Sequence, residues 1–256
     1  MGAVIAEPEL PRIHGSGNLE ADWARSPWLQ ALPTQSAQDW LAGIERLVVV
    51  SPHPDDEVLG CGGLMHVART MGIAVRVVAV TDGEACYPGS RRWTPAQLRR
   101  TRRRELAAAL DCLDVALADI TTLDLGDGDV ARHETAVSDA LCDLLRGRDR
   151  VLTTWRHDGH PDHEATARAA EAAAVACGVP MAQFPVWAWH WMDTRGETPA
   201  LPGALRCTLP DAAQAAKRRA LACFASQFDS GDPAMAPILP PHVRARFERG
   251  FEVVLP

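Results

Sequence analysis

The chain has 256 residues, 47% hydrophobic and 23% charged, with a formal net charge of −7. That is globular composition, sufficient for one core of roughly 200–250 residues, and its acidic balance argues against a nucleic-acid partner. Seven cysteines without a CxxC pair argue against a full disulfide framework and for a reducing, cytoplasmic setting, and no apolar run approaches the about 18 residues of a membrane span.

Residues 1–42 are rich in Pro, Gly and Trp and lack a long periodic pattern; Trp23, Trp28 and Trp40 predict an arm packed on the body. Met1 to His14 lacks a basic stretch followed by an apolar one, so no signal peptide is expected. Residues 43–256 read as a single domain. Arg46–Ser51 is predicted as a buried strand and Gly62–Met71 as a helix. The pattern repeats with Val75–Thr81 and Pro95–Leu113, Ile120–Leu125 and Glu134–Leu145, Arg150–Trp155 and the Ala-rich Pro161–Cys177. Short apolar strands alternating with helices imply βαβ units: a Rossmann-like, three-layer αβα fold around a mostly parallel sheet. Phe184–Met192 reads as a further strand with Trp187, Trp189 and Trp191 on one face, best explained by packing, and with His190 as its polar edge. Ala212–Phe228 reads as helix.

In such sheets ligands sit beyond the carboxyl ends of the strands. Here every one of those ends is polar or acidic: Pro52–Glu57, Asp82-Gly83-Glu84, Gly126-Asp127-Gly128 and Arg156–His163. The first holds His53-Pro54-Asp55-Asp56-Glu57, an imidazole and three mutually repelling carboxylates that a divalent cation would reconcile; His and Asp suit zinc. His53 and Asp56 are one helical turn apart and can converge on one ion, with Asp55 facing whatever lies beside it. His160 and His163 repeat that spacing, with Pro161 suited to the first helical position. A His-Asp-His set with positions left for water describes a catalytic metal. The competing reading makes the Asp residues helix caps and the His residues surface groups; it serves either cluster alone and fails for both at two ends of one sheet.

Ser51-Pro52-His53-Pro54-Asp55-Asp56-Glu57 with Gly159-His160-Pro161-Asp162-His163-Glu164 resembles the PIG-L/LmbE family of zinc-dependent N-deacetylases. Thr81-Asp82-Gly83-Glu84, Arg102-x-x-Glu105-Leu106, Asp127-Gly128 and Lys217 with Ser226-Gln227 extend the likeness, which spans roughly Leu47 to Cys177. The resemblance implies one Zn²⁺ per chain held by His53, Asp56 and His163. It implies Asp55 as general base, His160 as stabiliser of the oxyanion and Asp162 as the residue orienting His160. It also implies a substrate contact at Arg102. Glu84 and Asp127, at acidic strand ends, offer acceptors to sugar hydroxyls, although Asp127 also reads as an ordinary Asp-Gly turn. The arginines from Arg91 to Arg104 read chiefly as a solvated helix face that could receive an acidic substrate group.

The expected function is hydrolysis of an N-acyl group, most simply acetyl, from a small-molecule amino sugar such as an N-acetylglucosamine conjugate. An amidase on a thiol-conjugate or antibiotic-type amide is the alternative. A dinucleotide-binding oxidoreductase fits poorly, because Gly60-x-Gly62-Gly63 arrives about nine residues after the strand, behind the acidic cluster. A non-haem iron enzyme shares the ligand types but belongs on an all-β scaffold. A metal-free binding relative would not need intact ligand positions. Oligomeric state is open.

Overall fold

The computed structural model describes residues 13, 15–195, 201 and 203–256. Its central sheet has five parallel strands: β2 (Arg46–Ser51), β3 (Ala74–Thr81), β4 (Ile120–Leu125), β5 (Asp149–Thr154) and β6 (Met181–Phe184), in the order β4-β3-β2-β5-β6. Alternate side chains enter separate cores. Leu47, Val49, Val77 and Leu152 meet the Asp56–Thr70, Pro95–Asp111 and Asp211–Leu221 helices, while Val48, Val50, Val78 and Val151 meet the Glu134–Leu144 and Pro161–Cys177 helices. Burial on both faces explains why these strands read as unbroken apolar runs. The expected three-layer α/β architecture is the one observed.

The chain winds outward from β2 through β3 to β4, then returns to pair β5 with the other side of β2. The strand order therefore reverses between β2 and β5, opening a crevice there. Both His-Asp clusters follow these two strands.

A second, three-stranded sheet contains β1 (Thr34–Ser36), β7 (Leu205–Thr208) and β8 (Phe251–Val254), with β1 parallel and β8 antiparallel to β7. A bridge between Gln183 and Leu255 links it to the central sheet. Trp23 is fully buried against Trp189, their ring centroids 4.9 Å apart and edge-on, and its indole N–H donates to the Trp189 carbonyl at 2.8 Å. No helix among the described residues is long and apolar enough to cross a membrane.

Two expectations need correction. The predicted Phe184–Met192 strand ends at Phe184 and is followed by a helical turn, Ala188–Trp191. The alternating tryptophans do not share a face: Trp189 packs on Trp23, Trp191 stacks beside Trp155, and Trp187 lines a cavity. The turn forms because the backbone N–H groups of Val186, Trp187 and Ala188 all donate to the Asp158 carboxylate, at 2.8–2.9 Å. That concentration of donors on one buried anion overrides the local pattern.

The helix expected from Gly62 already begins at Asp56. Its glycines permit close packing: a Cβ on Gly60 would lie 1.9 Å from the Phe184 ring, and one on Gly63 2.4 Å from Leu209. The helix kinks at Cys61 (φ −145°), which leaves backbone groups to be satisfied from outside. Lys217 Nζ donates to the Leu59 carbonyl at 2.8 Å. The Glu252 carboxylate accepts from Gly63 N–H at 2.8 Å and Leu64 N–H at 2.9 Å. Lys217 and Glu252 are themselves paired at 2.7 Å, both buried.

Candidate functional site

The Asp56–Thr70 helix starts at the end of β2, and the turn into it is strained. Asp55 has φ +132° and ψ −31°, a region that non-glycine residues rarely enter and that costs on the order of 1–3 kcal/mol. Glu57 holds this turn, accepting from Ser51 Oγ at 2.8 Å and from Asp55 N–H at 3.2 Å. Asp55 thereby faces away from Asp56 towards Arg102, whose guanidinium reaches Asp55 Oδ2 at 3.1 Å, the Pro54 carbonyl at 2.5 Å and the Gly83 carbonyl at 3.0 Å.

Asp56 Oδ2 lies between two imidazoles, 3.2 Å from His53 Nδ1 and 3.1 Å from His163 Nε2. His163 Nδ1 is bound to Asp158 Oδ2 at 2.8 Å, with neither side chain exposed to solvent. If Nδ1–H is the donor, the lone pair of Nε2 is turned towards Asp56. That nitrogen is buried and has no hydrogen-bond partner among the described residues. A carboxylate fixing the far nitrogen of an imidazole is the usual support for a metal-binding histidine. His53, His160 and His163 each bring a ring nitrogen within 4.8 Å of the others, as do His53, Asp127 and Asp162 with their ligand atoms. Buried imidazoles and carboxylates converging in this way, with one of the imidazoles held from behind by a carboxylate, fit a divalent cation.

The electrostatics point the same way. Burial alone would raise the Asp56 pKa, but His163 and His53 outweigh it and hold the carboxyl well below its usual range. His163 is pushed up to about 9, burial opposing and the Asp56 and Asp158 charges prevailing. His53 is also raised, against burial, by Asp127, Asp162 and Asp56. These shifts express a site in which anions hold cations, whether protons or a metal. Asp55 differs: burial drives its carboxyl up to about 8, with Arg102 opposing and Asp56 and Glu57 reinforcing. Burial likewise lifts Glu57 to about 7. His160 is depressed to about 3 by burial and by the charges of His163 and His53, so its ring is neutral. Its Nδ1 accepts from Asp162 N–H at 3.3 Å, which puts the ring proton on Nε2.

The other predicted positions separate. The Asp162 carboxylate turns away from His160 to His53 Nε2 at 3.2 Å, Gly128 N–H at 2.7 Å and Val130 N–H at 3.3 Å, so its link to His160 is through the backbone. Asp127 lies 3.2 Å from His53 Nε2 and accepts from Ala85 N–H at 2.8 Å. Glu84, expected at the substrate, does not line the cavity; Arg99 holds it at 2.7 Å. Arg103 pairs with Asp82 at 2.7 Å and with Asp124. Two arginines of the cluster, Arg99 and Arg103, thus neutralise the acidic residues that follow β3.

A cavity of about 660 Å³ opens over the cluster. His53, Asp55, Asp56, Arg102, Asp127 and His160 line it together with an apolar wall that includes Val186, Trp187, Ile238, Leu239 and Phe247. Asp158 is the principal residue that sequence reasoning missed. No local pattern marks it, because the three N–H groups that define its role come from residues 186–188. Glu252 was missed because its contacts are 188 and 189 residues away.

A family model described as "PIG-L: GlcNAc-PI de-N-acetylase" matches residues 48–174, which contain all of these His-Asp positions. The chain is 34% identical over 173 residues to a 1D-myo-inositol 2-acetamido-2-deoxy-alpha-D-glucopyranoside deacetylase of Mycobacterium sp. (strain KMS), covering 58% of this chain and 54% of that protein. It is 28% identical over 156 residues to a 2'-N-acetylparomamine deacetylase of Streptomyces fradiae, covering 54% and 55%. The chain therefore spans about half the length of these curated relatives. Among solved structures, the conserved protein TT1542 from Thermus thermophilus superposes with a TM-score of 0.57 at 28% identity, covering 79% of this chain and 84% of that one. The zinc inhibited form of teicoplanin deacetylase Orf2 shares the fold, with a TM-score of 0.61 at 23% identity and coverage of 82% and 96%.

Proposed function

This chain belongs to the PIG-L family, and from that premise we propose that it is a zinc-dependent N-deacetylase acting on a small-molecule amino sugar. His53, Asp56 and His163 would hold the ion. The observation that carries the reading is the convergence of His53 Nδ1 and His163 Nε2 on Asp56 Oδ2, at 3.2 and 3.1 Å, with the buried His163 ring fixed from behind by Asp158 and Asp55 adjoining the cluster. Zinc, when bound, lowers the pKa of a coordinated water towards about 7 and polarises a carbonyl.

Asp55 is the general base. Burial makes it more basic than a surface carboxylate, and Arg102 keeps it oriented. It takes the proton of the attacking water as the new C–O bond forms. It then delivers that proton to the amine as the C–N bond breaks, leaving acetate and a free amino sugar. His160, neutral with its proton on Nε2, donates to the developing oxyanion; removal of one such donor typically costs about 10²–10³ in rate. Asp127, on the cavity wall, accepts from a sugar hydroxyl. The amino-sugar substrate is supported by the likeness to deacetylases of an acetamido-deoxyglucopyranoside and of N-acetylparomamine.

The test is a panel of N-acyl glucosamine conjugates incubated with the zinc-loaded protein and scored for released primary amine. Release from N-acetyl sugars, lost on chelation and restored by zinc, is expected. Release only from peptide-like or thiol-conjugate amides would change the substrate class, and no release from any amide would overturn the reaction.

A further inference from the structure

The cavity above the His-Asp cluster is also lined by the Pro241–Arg244 helix and the turn after it, which bring His242 and Arg246 to its wall one helical repeat apart. Arg246 is 2% exposed, yet among the described residues no carboxylate lies within ion-pair distance of it. Its guanidinium donates to the Asn18 carbonyl at 2.7 Å and the Ser16 carbonyl at 2.8 Å, and lies 3.4 Å from His190 Nδ1. These contacts use three of its five N–H groups and none of them carries negative charge. The adjacent Arg249 takes the nearby Glu20 carboxylate in a bidentate pair at 2.6–3.0 Å. Glu20 is thus engaged by Arg249, and among the described residues the positive charge of Arg246 at the cavity has no carboxylate partner. His242 adds a buried Nε2 with no hydrogen-bond partner among the described residues. The other arginine lining the cavity, Arg102, is already paired with Asp55.

A buried charge without a counterion is costly, and an incoming anion would relieve it. The same anion would be repelled at the other wall, where Asp55, Asp56 and Asp127 stand. We propose that Arg246, assisted by His242, is a subsite for an anionic group on the aglycone of the substrate. The physiological substrate is then an acidic conjugate of an N-acyl amino sugar, its oxyanion supplied by a carboxylate or a phosphate. This rests on the reading of the site as a deacetylase, and deepens it by fixing the polarity of the part of the substrate remote from the amide. Arginine suits either group, because its planar fork can donate to two oxygens at once.

The zinc-loaded enzyme is assayed with three N-acetylglucosaminides that differ only in the anomeric substituent: methyl, carboxymethyl, or a methyl phosphodiester. The expected result is a kcat/KM for at least one anionic conjugate about tenfold or more above that of the methyl glycoside, and the two anionic arms tell carboxylate from phosphate. Arg246→Gln should collapse that preference, mainly through KM, and Arg246→Lys should restore part of it. Equal kcat/KM for all three with the wild-type enzyme overturns the subsite. So does an equal loss on all three in Arg246→Gln, which would make Arg246 only a tie for Ser16 and Asn18. If Arg246→Gln does not fold, the wild-type ranking decides alone. If no glycoside is hydrolysed, binding is read on the same zinc-loaded protein from tryptophan fluorescence. Tighter binding of an anionic conjugate keeps the subsite while the deacetylase reading falls; equal or absent binding overturns both.

Discussion

Asp158 and His163 are joined at 2.8 Å with both side chains fully buried, and the same carboxylate collects the N–H groups of Val186, Trp187 and Ala188. One anion thus orients an imidazole of the His-Asp cluster and shapes the segment that brings Trp187 to the cavity. Asp158→Asn keeps an acceptor for the backbone but weakens control of the imidazole tautomer. Zinc affinity, measured by competition with a chromogenic chelator, should fall about 10–100-fold, and an unchanged affinity would deny Asp158 this role.

Asp55→Asn should retain zinc and lose about 10²–10⁴ in kcat. Metal content by elemental analysis and amine release on one preparation separate the two effects. A variant near full rate at saturating zinc would exclude Asp55 as the base.

Arg102 donates to Asp55 and to the carbonyls of Pro54 and Gly83, contacts that support Asp55, the proposed base. Arg102→Met should lower kcat by on the order of 10²-fold with KM little changed. A raised KM at constant kcat would instead return Arg102 to the substrate-contacting role expected from sequence.

Lys217 and Glu252 meet the backbone groups freed by the kink at Cys61. Removing one partner strands a buried charge, so Lys217→Met or Glu252→Ala should each cost about 3–5 kcal/mol in urea unfolding. The double variant should cost less than the sum of the two, because the pair is coupled. Additive losses would mean that the two side chains act independently.

Chelation should lower the melting temperature as well as the activity, because an ion that binds the folded protein stabilises it by mass action. Zinc titrated back should restore both with the same midpoint. A melting temperature indifferent to zinc would be inconsistent with a cation held by His53, Asp56 and His163.

The layers of the fold were legible because β2, β3 and β5 are buried on both faces, and apolar runs survive in a sequence when neither face meets water. The meeting of His53, Asp56 and His163 was legible because both clusters sit at ends of strands that a parallel sheet must bring together. What local pattern could not carry were relationships closed over long separations. Thr34–Ser36 becomes a strand only by pairing with Arg206–Thr208. The tryptophan segment had the alternation of a strand, but Asp158 captures its amides first. Glu84 and the arginines were read as separate charge clusters, whereas in three dimensions Arg99 and Arg103 neutralise Glu84 and Asp82.

The kink between Leu59 and Gly63 also has a bearing on the order of assembly. The helix that presents Asp56 is closed by a carboxylate 189 positions downstream of Gly63. Local propensity can start that helix but cannot finish it, and such distant closures are slow because the intervening chain must first be organised. Refolding should therefore recover secondary structure before it recovers zinc uptake, with the delay set by the docking of β8.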